Sequence, residues 1–317
     1  MAKTLLIFGG SGFIGSYIVR RLSKLGFRII IPTSKPSKSK HLKLSGSVGQ
    51  VLPIKLNFKN FNEIKKIMNK SDIIINLKTV WSESKNNSYK KNIFDFNKLI
   101  IDNIKDSKID KYIYFSGIGT SINSSSKRTI EIARVENYII SNLKNYSIIR
   151  PSIVIGNSDK FISKLSAIIK LSLLIPIFGS GKNKIQPTFV DDVALAVEKL
   201  ILKKINDNKI YELGGNLILS YKEVYKLIAK EMNLKRFFFH INFFFAKIGV
   251  YFIEKLPIDL LTTEQLELFK EDNLVSGNYS TYKNLEIQPK DTKQLIKKII
   301  KNLELIFIFL IYIQLNL

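Results

Sequence analysis

No cysteine occurs in the 317 residues. That absence removes disulfide cross-links, thiolate nucleophiles and cysteine-ligated metals together. Histidine is nearly absent as well: His41 and His240 stand far apart, without ligand spacing, so no metal centre is expected. Acidic side chains are scarce, 26 against 50 Lys and Arg, leaving a formal charge of +24. Such a surplus suits an anionic membrane surface, an acidic partner or nucleic acid. It also matches the drift of a chain crowded with Lys, Asn, Ile and Phe. The lysines are scattered and no nucleic-acid motif accompanies them, so no nucleic-acid partner is expected. Long apolar runs are missing too. Neither the Phe-rich segment 236–256 nor the final LELIFIFLIYIQLNL reaches the roughly 18–20 apolar residues that span a bilayer. The opening MAKTLLIFGG lacks the apolar length and cleavage site of a signal peptide, which points to the cytoplasm.

What is present is a rhythm. Short apolar runs at Thr4–Phe8, Arg28–Ile31, Val51–Leu56, Asp72–Leu77, Lys111–Ser116 and Tyr146–Arg150 are nearly continuous in Ile, Leu, Val and Tyr. Strands buried on both faces read this way. Helical spacing fills the intervals, as in Ile14, Ile18, Leu22 and Leu25, with Gly26 placed to end that helix. Alternation of this kind implies an α/β fold with a doubly wound parallel Rossmann sheet. KIYELGG (209–215) reads as one further strand of it. The expected division is a nucleotide-binding domain over 1–156, completed by about 185–215. A smaller, mainly helical C-terminal part covers 157–184 and 216–302, and an apolar tail covers 303–317.

TLLIFGGSGFIGSYIVRRL carries the most chemistry. A buried strand runs into Gly9, Gly12 and Gly15, and a helix follows at once. Gly9 permits the turn, Gly12 lets backbone approach a pyrophosphate, and Gly15 lets the helix lie close on the strand. The N–H groups and positive pole of that helix then face the phosphate charge. The second strand ends in IIIPTSKP, with no acid to hold a ribose hydroxyl. Thr33, Ser34 and Lys35 are suited instead to a 2′-phosphate, which favours NADP(H), with NAD(H) as the alternative.

GGSGFIG (9–15), NLKT (76–79), FSGIG (115–119), RPSIVIG (150–156), FVDDVA (189–194) and YELGG (211–215) together resemble an extended or atypical short-chain dehydrogenase/reductase. More narrowly, IFGGSGFIGSYIVRRL, GSVGQVLPIKLNFKN, IQPTFVDDVALAV and EQLELFKEDNLVS are similar to the nucleotide-binding accessory subunit of respiratory complex I and its bacterial relatives. The resemblance implies a Rossmann domain with structurally held NADP(H), and complex I subunits near the membrane as partners. It also implies a peripheral position on the inner face of the cytoplasmic membrane. Carried onto this chain, Gly9, Ser11, Gly12, Phe13, Ile14 and Gly15 would line the pyrophosphate, and Ser34 and Lys35 the adenosine phosphate. Asn57 would lie near the adenine, and Leu77, Lys78 and Thr79 beside the ribose. Ser116, Arg150, Pro151 and Ile153 would flank the nicotinamide end. Thr79 departs from the glycine that relatives often carry.

Reductases of this superfamily use a Tyr and a Lys four residues later on one helix, so that both side chains share a face. Counting back from Arg150 through Glu136 without a gap, the Tyr position holds Arg128 and the Lys position Ile132. Arginine stays protonated and cannot act as an acid, and isoleucine can hold no ribose hydroxyl. General acid–base help is worth about 10²–10⁴-fold in rate, so little turnover by that route is expected. Ser116 still matches the carbonyl-orienting serine. Two readings follow: a non-catalytic accessory or assembly subunit of complex I, or an independent NADP-dependent reductase, epimerase or dehydratase with another proton donor.

Overall fold

The computed structural model describes residues 2–83, 87–203, 208–254 and 261–315, with 306–315 as backbone. Seven strands, β1 (Thr4–Phe8), β2 (Arg28–Thr33), β3 (Val51–Lys55), β4 (Ile73–Asn76), β5 (Lys111–Phe115), β6 (Tyr146–Pro151) and β7 (Lys209–Leu213), form one sheet. Their order is 3-2-1-4-5-6-7, and every pair is parallel. The runs are apolar throughout because helices cover both faces; all four residues of β4 are buried, and so are four of the five in β1. Strand order reverses between β1 and β4, so the crevice at their C-terminal ends is the switch point where ligands of such sheets bind.

Helices α1 (Phe13–Ser23), α2 (Phe61–Met68), α3 (Phe96–Ile104) and α4 (Lys127–Asn142) are the crossovers. Asn60 caps α2 by accepting from the Glu63 N–H, and Ser126 caps α4 by accepting from Thr129 at 3.1 Å. On one face of the sheet, Ile100, Ile104, Ile132 and Ile139 from α3 and α4 pack on Leu6, Ile74 and Tyr112. Helix α5 (Phe161–Leu171) belongs to a second unit, and α6 (Val190–Leu202) returns to the first. There Arg21 of α1 reaches Asp191 and Glu198 of α6 at 3.0 and 2.8 Å.

The first unit comprises 1–151, 190–213 and 276–288; the second comprises 152–189, 214–275 and 289–317. In the second, α5 packs with α7 (Tyr221–Glu231) and the start of α10 (Thr292–Leu315) around Ile162, Ile169, Val224, Ile228, Ile296 and Ile300. It also contains α8 (Phe243–Ile253), α9 (Thr263–Leu268) and a parallel two-strand ribbon, Leu174–Phe178 with Phe237–Ile241. The sequence reading had given both ribbon segments to helices or loops. They become strands by pairing with each other across some sixty residues, which local spacing does not encode. No described helix is long and apolar enough to cross a membrane. The side chains of the apolar tail from 306 onward, like residues 255 and 256 of the Phe-rich segment, lie outside the described residues.

One buried ionic cluster joins the C-terminal half of the sheet to α4. The Arg150 guanidinium of β6 donates to both carboxylate oxygens of Glu136 at 2.9 and 2.5 Å. It lies 3.6 Å from Glu212 of β7 and over the Tyr279 ring at 4.7 Å. Glu212 also accepts from the backbone and hydroxyl of Ser276 at 2.6 and 2.8 Å. Removing the cation leaves two buried carboxylates uncompensated, a loss worth about 3–5 kcal/mol. Arg150→Ala should therefore lower the urea-unfolding free energy by that order, whereas Lys98→Ala, which breaks an exposed pair with Asp102, should change it by less than about 1 kcal/mol.

Candidate nucleotide site

Parallel pairing places the C-terminal ends of β1 to β5 along one edge, and most of the expected site residues follow those ends. Gly9 leaves β1 with φ +78°, and a Cβ there would stand 3.0 Å from the Leu77 carbonyl carbon at the end of β4. Gly15 is the stricter position: its Cβ would fall 2.3 Å from the Gly9 oxygen and 2.6 Å from the Gly10 Cα. The loop is therefore folded tightly on itself, closed by the Gly12 N–H donating to Gly9 O at 3.0 Å. Ser11 and Gly12 are exposed, while Phe13 and Ile14 are half-buried. The first turn of α1 carries no acidic residue, and Gly12 gives it no side-chain cap. Its N–H groups thus present uncompensated positive potential to the crevice. Backbone approach without side chains, beside a helix pole free of acid, fits a dinucleotide pyrophosphate.

At the end of β2, Thr33 is buried while Ser34 and Lys35 are exposed, and the Lys35 N–H donates to the Thr33 hydroxyl at 3.2 Å. Asn57, after β3, spends its side-chain oxygen on the Lys59 N–H at 3.0 Å. Beyond β4, Leu77 is half-buried and donates its N–H to Phe8 O at 2.9 Å, which joins it to the glycine loop. The Lys78 ammonium turns inward, 3.3 Å from Asn92 O and 4.2 Å above the Phe96 ring. Burial alone pushes it down to about 8.

The decisive geometry lies on α4. Arg128, Ile132 and Glu136 are spaced by four and share the stripe that faces the sheet. Glu136 is anchored to Arg150, Ile132 is 4% exposed in the core, and Arg128 reaches the loop after β4. Its Nε donates to Val80 O and its Nη2 to the Thr79 hydroxyl, both at 3.0 Å. The guanidinium also lies 3.7 Å from the centre of the Trp81 ring. Arg128 thus clasps the loop after β4 to α4. Tyr114, within the field of Glu136 and Arg128, is no substitute proton donor: burial, then the neighbouring Tyr112 and Glu136, pushes its phenol well above the ordinary range. Ser116 is half-buried, its hydroxyl 2.9 Å from that of Thr120, which in turn donates to Gly117 O at 2.7 Å.

Of the residues expected at the nicotinamide end, Arg150 points into the ionic cluster rather than into open crevice. Pro151 closes β6 and accepts from the Ile118 N–H at 3.1 Å. Ile153 lies in the second unit, half-buried, and its carbonyl accepts from Thr188 at 2.9 Å. Thr120 and Glu136 were not singled out as site residues by sequence reasoning. Glu136 was findable, because it continues the four-residue spacing through Arg128 and Ile132.

The pattern of the NAD dependent epimerase/dehydratase family matches residues 5–214. Alpha subcomplex subunit 9 of NADH dehydrogenase [ubiquinone] 1 from Arabidopsis thaliana, a mitochondrial protein, is 30% identical over 299 residues, covering 90% of this chain and 74% of that protein. The chain belongs to the NAD dependent epimerase/dehydratase family, on its alpha subcomplex subunit 9 branch. A further member of this branch by likeness is the mitochondrial 40 kDa subunit of NADH-ubiquinone oxidoreductase from Neurospora crassa, 25% identical over 91% of this chain and 76% of its own. Among solved structures, dTDP-glucose 4,6-dehydratase from Bacillus anthracis, in complex with NAD, superposes with a TM-score of 0.71 at 17% identity. That match covers 95% of this chain and 96% of the other, and it shows the shared fold. UDP-glucose 4-epimerase from Thermotoga maritima gives 0.69 at 17%, over 94% and 97%.

These relatives correct one expectation. A place on the inner face of a cytoplasmic membrane does not hold for the branch, whose named members are mitochondrial. The lack of a signal-peptide pattern in the opening residues had pointed to the cytoplasm, and that reading carries no address. Thr4–Phe8 is the central strand β1, and its character reports burial.

Two outcomes follow from the geometry. Gly15→Ala should cost about 1–3 kcal/mol of stability by forcing the loop off the helix, read as a lowered thermal midpoint. The second concerns Lys78, whose folded value of about 8 lies below its ordinary 10.5. Below pH 8 both states are protonated and the cost of burying the ammonium is full. Between 8 and 10.5 the folded chain gives up its proton first, so stability rises with pH. The difference in thermal midpoint between wild type and Lys78→Met should therefore move in favour of wild type as pH goes from 7 to 10.

Proposed function

We propose that this chain holds a nicotinamide dinucleotide without turning it over, as an accessory subunit of an NADH:ubiquinone oxidoreductase. The observation that carries the reading is the α4 stripe, with Arg128 clasped to Thr79, Val80 and Trp81 and Ile132 sealed in the core. Such a cofactor supplies hydride transfer where a proton relay accompanies it. Neither Arg128 nor Ile132 can move a proton: a guanidinium does not titrate, and a buried isoleucine has nothing to donate. What these residues can do is hold, the glycine loop through backbone N–H groups and Arg128 by fixing the loop after β4. The relatives' names support the assembly, since both the Arabidopsis and Neurospora proteins are subunits of that oxidoreductase.

NADP(H) is the preferred form. No acid follows β2, and Ser34 and Lys35 are exposed where a 2′-phosphate would require donors. Glycine-loop residues 9–15, Asn57 and Leu77 would complete the adenosine half, with Ser116 and Pro151 toward the nicotinamide. The hydroxyl pair Ser116–Thr120 favours the second reading, an independent reductase, epimerase or dehydratase.

Native mass spectrometry of the purified chain should show retained NADP(H), and native gels of solubilised membranes should show it migrating with NADH dehydrogenase activity. An empty protein running only as a free chain would refute the reading. Steady NADPH consumption abolished by Ser116→Ala would favour the enzyme instead. Arg128→Ala should free the Thr79–Trp81 loop and shift the emission of Trp81, the sole tryptophan, to longer wavelength while leaving the fold's circular dichroism unchanged.

A further inference from the structure

Lys78 stands at the crevice as a charge without a counter-charge. Its backbone is fixed: the Lys78 N–H donates to the Asn76 side-chain oxygen at 2.9 Å, and the Asn76 amide donates in turn to Asn97 at 2.8 Å inside the core. The side chain then passes among neutral partners. Its ammonium donates to Asn92 O at 3.3 Å and lies 4.2 and 5.7 Å from the ring centres of Phe96 and Phe58. Asn92 belongs to Lys90–Asp95, a π-helical turn of a kind that recurs at functional sites. The glycine loop touches the residue before Lys78, since a Cβ on Gly9 would stand 3.0 Å from the Leu77 carbonyl carbon. A phosphate on that loop and the Lys78 ammonium thus share one strand end.

No carboxylate among the described residues pairs with this ammonium. On the elements packed against it the charged side chains are Lys59 beside Phe58, Lys90, Lys91 and Asp95 on the turn, and Lys98 and Asp102 on α3. Lys98 and Asp102 spend their charges on each other at 2.5 Å. Burial is the sole cause of the fall of Lys78 to about 8, so none of the six offsets or adds to it. An ammonium held out of water by two rings and one carbonyl is costly until an anion meets it.

We propose that Lys78 is the counter-charge for a phosphate of the bound dinucleotide, and so a residue that sets affinity for it. This role rests on the nucleotide reading and couples binding to a proton. In the empty site the amine is half protonated near pH 8 and largely neutral by pH 9. A phosphate beside it restores the ammonium and its ordinary value of 10.5. Binding therefore takes up a proton between those limits, and affinity falls as pH rises.

Isothermal titration calorimetry tests this on the full chain, freed of nucleotide, with NADPH in two buffers of different ionisation enthalpy. Wild type should take up about one proton per nucleotide at pH 9 and about one tenth at pH 7, with Kd rising about tenfold between them. Lys78→Met should bind more weakly at pH 7 and show neither effect. Lys78→Arg, whose charge does not titrate, should bind at both pH values without proton uptake. Repeating the titration with NADH locates the phosphate: uptake with both forms assigns Lys78 to the pyrophosphate, and uptake with NADPH alone assigns it to the 2′-phosphate. NADPH binding by wild type without uptake at pH 9, or the same uptake by Lys78→Met, overturns the inference and leaves the nucleotide reading standing. A wild type that binds neither nucleotide overturns both.

Discussion

The bidentate pair between Arg150 and Glu136 fixes the meaning of everything around the candidate site. Glu136 sits two turns beyond Arg128 on α4, and a buried carboxylate bound at 2.9 and 2.5 Å leaves that helix no freedom to rotate. Once Glu136 faces β6, the spacing by four forces Ile132 into the core and Arg128 toward the end of β4. Arg150 was expected beside a nicotinamide; it serves the site by orienting the helix that borders it.

This arrangement has a cost. One guanidinium faces two carboxylates, and Glu212 is balanced further only by Ser276 donors. Buried ion clusters seldom out-stabilise an apolar core of equal volume; what this one supplies is a single register for α4 against β6 and β7. Lys78 is a second unfavourable feature at the same edge, a half-buried ammonium with no carboxylate partner among the described residues, its charge met by a carbonyl and aromatic rings. Lys78, just after β4, lies where the sheet's switch point places a ligand. Such features concentrate at functional sites because stability there is not the only requirement.

Much of the fold was legible. The six N-terminal strands and the return strand at 209–213 lie within a residue or two of their expected bounds, because a doubly covered parallel sheet requires continuous apolar runs that the sequence displays. Gly9 and Gly15 were legible for the same reason: the close approaches they permit leave no room for a Cβ. The ribbon of Leu174–Phe178 with Phe237–Ile241 was not, since its pairing is long-range and its spacing ambiguous between helix and strand. Nor was the exposure of α8, whose stripe reads as a core face until the structure shows which side is covered. At the site, residue types were readable and partners were not. Arg128 could be placed opposite a tyrosine's position from counting alone, but its hold on Thr79, Val80 and Trp81 emerges only when β4 and α4 are brought together.

The account's central claim is that the nucleotide is held and not used, and an isotope label tests it most directly. The chain would be loaded with NADPH deuterated at the transferable nicotinamide position, returned to membranes carrying NADH dehydrogenase activity, and later stripped of its nucleotide for mass analysis. Holding predicts that the recovered NADPH keeps its deuterium through many turnovers of the surrounding enzyme. Loss of the label on the timescale of those turnovers would show hydride leaving the site, and would contradict the account.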